Sequence, residues 1–260
     1  LAASISVPYS FRNPQTFIDT NILGALNIFR SSSLKKNKIK KIVQISSSEV
    51  YGNDLINNSN LLHEKTITVS ESPYAASKIA ADNLAISMFK ATSLPVVVAR
   101  PFNTFGPRQS LRAVIPTIIS QFASLNKNKN YIKVGNLNTS RDFVYVNDTV
   151  TGLISLLKPK CKPGEIYNIC TGKSHKIKDI IQAIKKITKH NPKIIISKKR
   201  FRKAEVFTLR GSNKKLFLST KWKPKYVNHN DFIKALRETY DWFSEENNLS
   251  KYSNIDKYNI

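Results

Sequence analysis

Apolar positions along the chain switch between helical and strand periods. Phe17, Ile18, Ile22, Leu26 and Phe29 recur at helical spacing and predict an amphipathic helix over 17–29. Ile42, Val43 and Ile45 form a short apolar strand that ends in Ser46-Ser47-Ser48. A polar loop with Asn57, Asn58, Ser59 and Asn60 comes next. Ser72-Pro73 then opens a long helix to about Thr92, because proline is well placed in a first helical turn. Leu94 to Arg100 reads as a second buried strand. Continuously apolar strands joined by a helix predict a parallel sheet with helices on both faces.

The texture changes after Pro101. The pattern predicts a helix over 113–125, short strands at 131–134 and 143–146, a helix over 148–157 and a strand over 165–169. Isoleucines at 177, 180, 181, 184 and 187 predict a helix with one strongly apolar face. An apolar strand at Ile194-Ile195-Ile196 and a helix from about Asp231 to Phe243 follow. The polar segment 245–260 reads as a frayed tail. A parallel-sheet portion to about residue 100 is therefore followed by a mixed α+β portion.

Composition narrows the classes. The chain has 260 residues, 41% hydrophobic and 10% aromatic, enough for one large domain or two small ones and against global disorder. Cys161 and Cys170 make neither a disulfide scaffold nor a C-x-x-C clip, and four scattered histidines add no zinc pattern, so no metal is expected. No apolar run is long enough for a membrane span, and no basic-then-apolar leader stands at the start, so a reducing cytoplasm is the expected compartment. The balance of 42 Lys+Arg against 17 Asp+Glu gives +25, which raises nucleic-acid binding as a rival function. Lysines spread along the whole chain speak against that rival. The dense run 35–41 reads as a solvated loop, whereas Arg202 in the run 198–203 is a candidate phosphate ligand.

Four segments carry chemistry. Ser46-Ser47-Ser48-Glu49-Val50-Tyr51-Gly52 lies at the carboxyl end of a parallel strand, where α/β sheets bind ligands, and joins hydroxyls to a carboxylate. Tyr74 and Lys78 are four apart on a helix and share a face. A nearby ammonium favours a phenolate, so Lys78 is expected to lower the pKa of Tyr74 toward a general acid/base. The third segment is Arg100-Pro101-Phe102-Asn103-Thr104-Phe105-Gly106-Pro107-Arg108, and the fourth runs Arg141-Asp142-Phe143-Val144-Tyr145-Val146. Taken singly, the first is compatible with an ordinary serine-rich turn and the second with a chance match.

In this order and spacing the segments resemble the extended short-chain dehydrogenase/reductase family, and within it the nucleotide-sugar epimerases and dehydratases. Leu1-Ala2-Ala3, Asp19-Thr20-Asn21 with Gly24, Lys221-Trp222-Lys223-Pro224 and Tyr240-Asp241-Trp242-Phe243 match the same family, so the likeness covers about residues 1–245. It implies a Rossmann-like doubly wound parallel sheet over 1–105, a smaller α+β substrate domain over 106–245 with segments returning to the sheet, and a tail over 246–260. It implies the cofactor NAD, bound by Leu1, Ala2, Ala3, Thr20, Tyr74 and Lys78. Ser47, Ser48, Glu49, Tyr74 and Lys78 would be catalytic. Ser47, Asn103, Arg141, Asn168 and Arg202 would hold a nucleotide-diphosphate sugar. A homodimer would form through a four-helix bundle of the helices near 15–33 and 73–91, with no nucleic-acid or membrane partner.

Within the family, Glu49 beside Ser48 points to a 4,6-dehydratase, which needs a carboxylate base at the sugar C5. Residues 100–121 look like dehydratases acting on nucleotide-linked N-acetylglucosamine in legionaminic-acid-type pathways. A C4 epimerase, a decarboxylase and a non-catalytic remnant are the alternatives. The family also opens on a strand and a G-x-x-G-x-x-G turn that seats the cofactor pyrophosphate. The eight glycines, at 24, 52, 106, 135, 152, 164, 172 and 211, cannot make that turn. The expectation is an N-terminally truncated enzyme, without the first three strands, inactive by itself and with an open sheet edge.

Overall fold

The computed structural model describes residues 2–35, 38–53, 61–126, 130–201 and 206–252. In chain order, α1 (Val7–Ser10) and α2 (Pro14–Phe17) lead through a π-helical stretch, Ile18–Leu23, into α3 (Gly24–Ser33). Then come β1 (Ile42–Ile45), a 3-10 turn at Ser48–Tyr51, α4 (Pro73–Thr92), β2 (Val96–Pro101) and β3 (Asn103–Phe105). The second half contains α5 (Val114–Ala123), β4 (Tyr131–Val134), β5 (Ser140–Arg141), β6 (Phe143–Tyr145), α6 (Val146–Ser155), β7 (Ile166–Ile169) and β8 (His175–Lys176). It closes with α7 (Ile177–Thr188), β9 (Lys193–Ile196), β10 (Thr208–Leu209), α8 (Lys214–Thr220), α9 (His229–Ser244) and α10 (Glu246–Ser250).

The main sheet has the order β1-β2-β7, all parallel, with Ile42 opposite Val96 and Arg100 opposite Asn168. The central strand β2 is continuously apolar from Val96 to Ala99 because both its faces are covered. Val96 and Val98 pack with Phe29 and Ala85 of α3 and α4. Val97 and Ala99 pack on the other face with Leu156, Leu216 and Trp222. Side chains alternate across a strand, so one run of valines serves two cores. The sheet's carboxyl ends converge on the segment after Ile45 and the start of α4.

A second core gathers α5, α7 and α9 around β4 and β6. All five isoleucines of the α7 stripe are buried there, as the period predicts. Small parallel pairs, β3 with β6, β4 with β9 and β10 with β5, stitch this half together. The segment read as a frayed tail is partly structured. Residues Glu246–Ser250 form a helix, Asn248 donates to the Trp242 carbonyl at 3.1 Å, and Tyr252 packs on Phe243 at 5.6 Å between ring centroids. The tail docks because Asn248 satisfies a carbonyl that the end of α9 leaves open.

Candidate active site

The site grows from the end of β1. Ser46 still belongs to the sheet, its N–H donating to the Ala99 carbonyl at 2.7 Å. Ser47 is extended, and its hydroxyl accepts from the Glu49 N–H at 3.2 Å, capping the 3-10 turn that follows. The turn ends at Gly52, whose φ of +55° is open to glycine and where a Cβ would lie 2.4 Å from the Val69 carbonyl oxygen. Val69 N–H in turn donates to the Val50 carbonyl at 2.9 Å. Ser47, Ser48 and Glu49 are thereby held on a short, pinned loop, with Ser48 buried and Ser47 and Glu49 half-buried.

Helix α4 supplies the facing side chains. Ser72 caps it by accepting from the Ala75 N–H at 3.1 Å, and Pro73 takes the first helical position. Tyr74 therefore sits in the first turn, buried, and shares a hydrogen bond with the Ser47 hydroxyl. Burial pushes Tyr74 up to about 12; the bond from Ser47 pulls it down, and the Glu49 and Asp82 carboxylates push it up. Lys78, one turn on, donates from Nζ to the Ile45 carbonyl at 2.9 Å. Burial draws Lys78 below its ordinary value and Asp82 opposes that. Here the structure corrects the sequence reading. In the chain by itself Tyr74 is held high by burial, and the ammonium of Lys78 is turned to a backbone carbonyl, so Lys78 does not make the phenol acidic.

The N-terminal segment is tied to this helix by Asn21. Its Oδ1 accepts from the Ser4 N–H at 2.9 Å, and its Nδ2 donates to the Ser4 carbonyl at 3.0 Å and to Ser77 Oγ at 2.9 Å. Asn21 lies in the π-helical stretch, a distortion that often marks functional positions. It ties Ser4 to α4 at Ser77. Tyr74 and Lys78 set a phenol and an ammonium one helical turn apart, and Thr20 is half-buried in the π-helical stretch. Leu1 lies outside the described residues.

On the sugar side the predicted residues divide. Asn103 is half-buried; its N–H donates to the Asp142 carbonyl at 3.1 Å, and its Oδ1 is buried with no hydrogen-bond partner among the described residues. Arg141, next to Asp142, is 5% exposed and donates from Nη1 to the carbonyls of Ser140 at 2.9 Å and Phe207 at 3.3 Å. Asn168 is fully buried. Its Oδ1 accepts from the Tyr51 hydroxyl at 2.7 Å and its Nδ2 donates to the Leu62 carbonyl at 3.1 Å, so it braces the floor of the site from within. Arg202 lies outside the described residues.

Asp142 is a residue whose weight was not legible in the sequence. Fully buried, it accepts from Thr171 N–H, Thr171 Oγ1, Gly172 N–H and Gly211 N–H at 2.6–3.3 Å, clamping three loops. Burial raises it to about 6 although all these donors favour the anion. Asn21, Ser46 and Asp82 also escaped assignment. Only Asp82 carried a signal, its position four residues beyond Lys78.

No helix among the described residues is long and apolar enough to cross a membrane. A family model described as GDP-mannose 4,6 dehydratase matches residues 1–235. The chain is 34% identical over 228 residues to GDP-6-deoxy-D-mannose reductase of Pseudomonas aeruginosa, covering 86% of this chain and 74% of that one. It is 36% identical over 179 residues to dTDP-D-glucose 4,6-dehydratase of Dictyostelium discoideum, covering 66% of this chain and 40% of that one. A solved structure of RMD from Pseudomonas aeruginosa complexed with NADPH superposes with a TM-score of 0.83 at 32% identity, over 94% of this chain and 80% of that one.

Proposed function

The chain belongs to the GDP-mannose 4,6-dehydratase family of extended short-chain dehydrogenases/reductases, and from that premise we propose that it acts as a nucleotide-sugar 4,6-dehydratase with NAD. The observation that carries the reading is the position of Glu49. It stands on the turn that Ser47 caps, two residues from the hydroxyl that pairs with Tyr74. A C4 epimerase has no use for such a base.

In this reading bound NAD would supply the hydride chemistry, as acceptor at the sugar C4 and donor at C6. Tyr74, un-ionised in the chain by itself, takes the proton of the C4 hydroxyl once the bound cofactor's positive charge favours its phenolate, and Ser47 hydrogen-bonds the same oxygen. The resulting ketone acidifies the C5 proton, which Glu49 removes. Water leaves from C6 with the proton that Glu49 took. C5 regains a proton from solvent when hydride reaches C6, and Tyr74 releases its own proton to solvent. The buried Ser48 lies on the loop that carries the carboxylate. Lys78 binds the ribose of the nicotinamide. Because the hydride returns to the sugar, no net reductant is consumed, which favours NAD over a reducing NADPH supply. Asn103, Arg141 and Arg202 hold the nucleotide and its diphosphate, for which arginine is the suited partner. Asn168 acts behind them through Tyr51. The protein works as a homodimer through helices α3 and α4 and the π-helical stretch, where Leu23 and Ile28 stand exposed.

The experiment supplies the protein with NAD and, in turn, GDP-, dTDP- and UDP-activated hexoses, and follows the sugar by mass spectrometry. Loss of one water, abolished by Glu49→Gln, supports the reading and names the nucleotide. The likeness to a GDP-6-deoxy-D-mannose reductase gives a second reading, in which the same Tyr74, Lys78 and Ser47 reduce a 4-keto sugar. Oxidation of NADPH by a 4-keto-6-deoxy nucleotide sugar, unaffected by Glu49→Gln, would establish that one instead.

A further inference from the structure

The face of α4 that carries Tyr74 and Lys78 has a third polar position. Residues 74, 78 and 82 are four apart and line one face on successive turns. Each bonds a different residue at the end of β1. Tyr74 pairs with Ser47, Lys78 Nζ donates to the Ile45 carbonyl at 2.9 Å, and Ser46 Oγ donates to Asp82 Oδ2 at 2.8 Å. Helix and strand end are thus joined by a ladder of side-chain rungs, and its lowest rung is the most buried, Asp82 at 1% and Ser46 at 3% exposure.

A buried carboxylate needs a counter-charge. Arg100, at the end of β2, donates from Nε to the same Oδ2 at 3.1 Å. Its guanidinium lies 5.0 Å from the centre of the Tyr51 ring, and Tyr51 donates to Asn168 at the end of β7. The polar chain therefore crosses beneath the site from β1 through β2 to β7. The pairing is not the bidentate fork that best stabilises such an ion pair. One oxygen of Asp82 serves both Ser46 and Arg100, while Asp82 Oδ1 and Arg100 Nη1 are buried without a hydrogen-bond partner among the described residues. The carboxylate is oriented toward Ser46 at the expense of its own ion pair.

We propose that Asp82 is a positioning residue that, through Ser46, sets the register of the catalytic strand end on α4, so that Ser47 meets Tyr74 and Glu49 faces the same place, with Arg100 as its counter-charge. Asp82 also opposes the effect of burial on Lys78. The inference rests on the roles given above to Ser47, Glu49 and Tyr74.

Its test compares Ser46→Ala, which removes the rung and leaves the Asp82–Arg100 pair intact, with Ser46→Thr, which keeps a hydroxyl. Hydrogen exchange is read at the amides of Glu49 and Val50 in the chain alone. Turnover is read as kcat and sugar KM separately. Ser46→Ala should speed exchange at both amides at least about tenfold and lower kcat by about 10–100-fold with KM little changed, the size of effect that a displacement of about 1 Å produces. Ser46→Thr should restore protection. Unchanged exchange in Ser46→Ala, or equal loss of kcat and folded fraction in both variants, would overturn the proposal. Exchange is read without cofactor or sugar, so it judges the positioning role even if the water-loss assay rejects the dehydratase reading.

Discussion

Asp142 gives the sharpest link between geometry and a measurable quantity. Burial raises its pKa from 3.8 to about 6, against the pull of the hydrogen bonds that Thr171, Gly172 and Gly211 donate to it. A group whose folded pKa is raised binds its proton more tightly in the folded chain. Its contribution to stability is therefore greatest below the unfolded value near 3.8 and declines as pH rises toward about 6. The shift is roughly two units, which at about 1.36 kcal/mol per unit amounts to ~3 kcal/mol. Asp142→Asn has nearly the same shape and no ionisation. It still accepts the two Thr171 bonds and turns an NH2 toward the Gly172 and Gly211 N–H groups, as the neutral acid turns its O–H, so it stands in for the protonated parent at every pH. The stability gap, parent minus variant, should then fall by about 2 kcal/mol between pH 4 and pH 7, because the unfolded group is already partly ionised at pH 4. Urea unfolding of both proteins at several pH values measures it, and taking the difference cancels every group the two share. A gap that stays constant, or rises with pH, would refute the argument: the donors would then outweigh burial.

Two further outcomes follow from the same site. Tyr74→Phe should lower turnover by about 10²–10⁴-fold with nucleotide-sugar binding retained; with Tyr74 near 12, its 13C-labelled phenol carbon in the cofactor-free chain should show no ionisation shift up to pH 10, and an earlier shift would mean that Lys78 does govern it. Gly52→Ala forces a side chain into a left-handed position, worth about 1–2 kcal/mol, and against the Val69 carbonyl at 2.4 Å. Unfolding should show a loss of at least about 2 kcal/mol, and a loss well below that would show that the loop re-forms around the new methyl.

How much of this was legible depends on whether a residue's partner is near in the chain. The α7 isoleucines, the Ser72-Pro73 helix start and the run of valines in β2 declare their structure through local spacing and capping. The short pairs β5 with β8 and β5 with β10 left no trace, because two-residue strands have no period to read. The helix read over 17–29 is interrupted by a π-helical stretch, and the same apolar spacing gives no warning of that turn-width change. Asn168 matched a motif and was read as a nucleotide ligand; the structure buries it completely against Tyr51, a contact across 117 positions of sequence.

The sequence by itself determined the fold class and the order of the main strands and helices, and through its family resemblance it offered Ser47, Glu49, Tyr74 and Lys78 as candidates. The elements follow from periods and caps within a few residues. Tertiary structure decided what these groups are like chemically. It set Tyr74 high through burial, turned Lys78 to the Ile45 carbonyl, and placed Asp82 and Arg100 beneath the site and Asp142 among three loops. Desolvation and hydrogen bonding depend on what the whole chain brings within a few ångströms, and no local pattern encodes that.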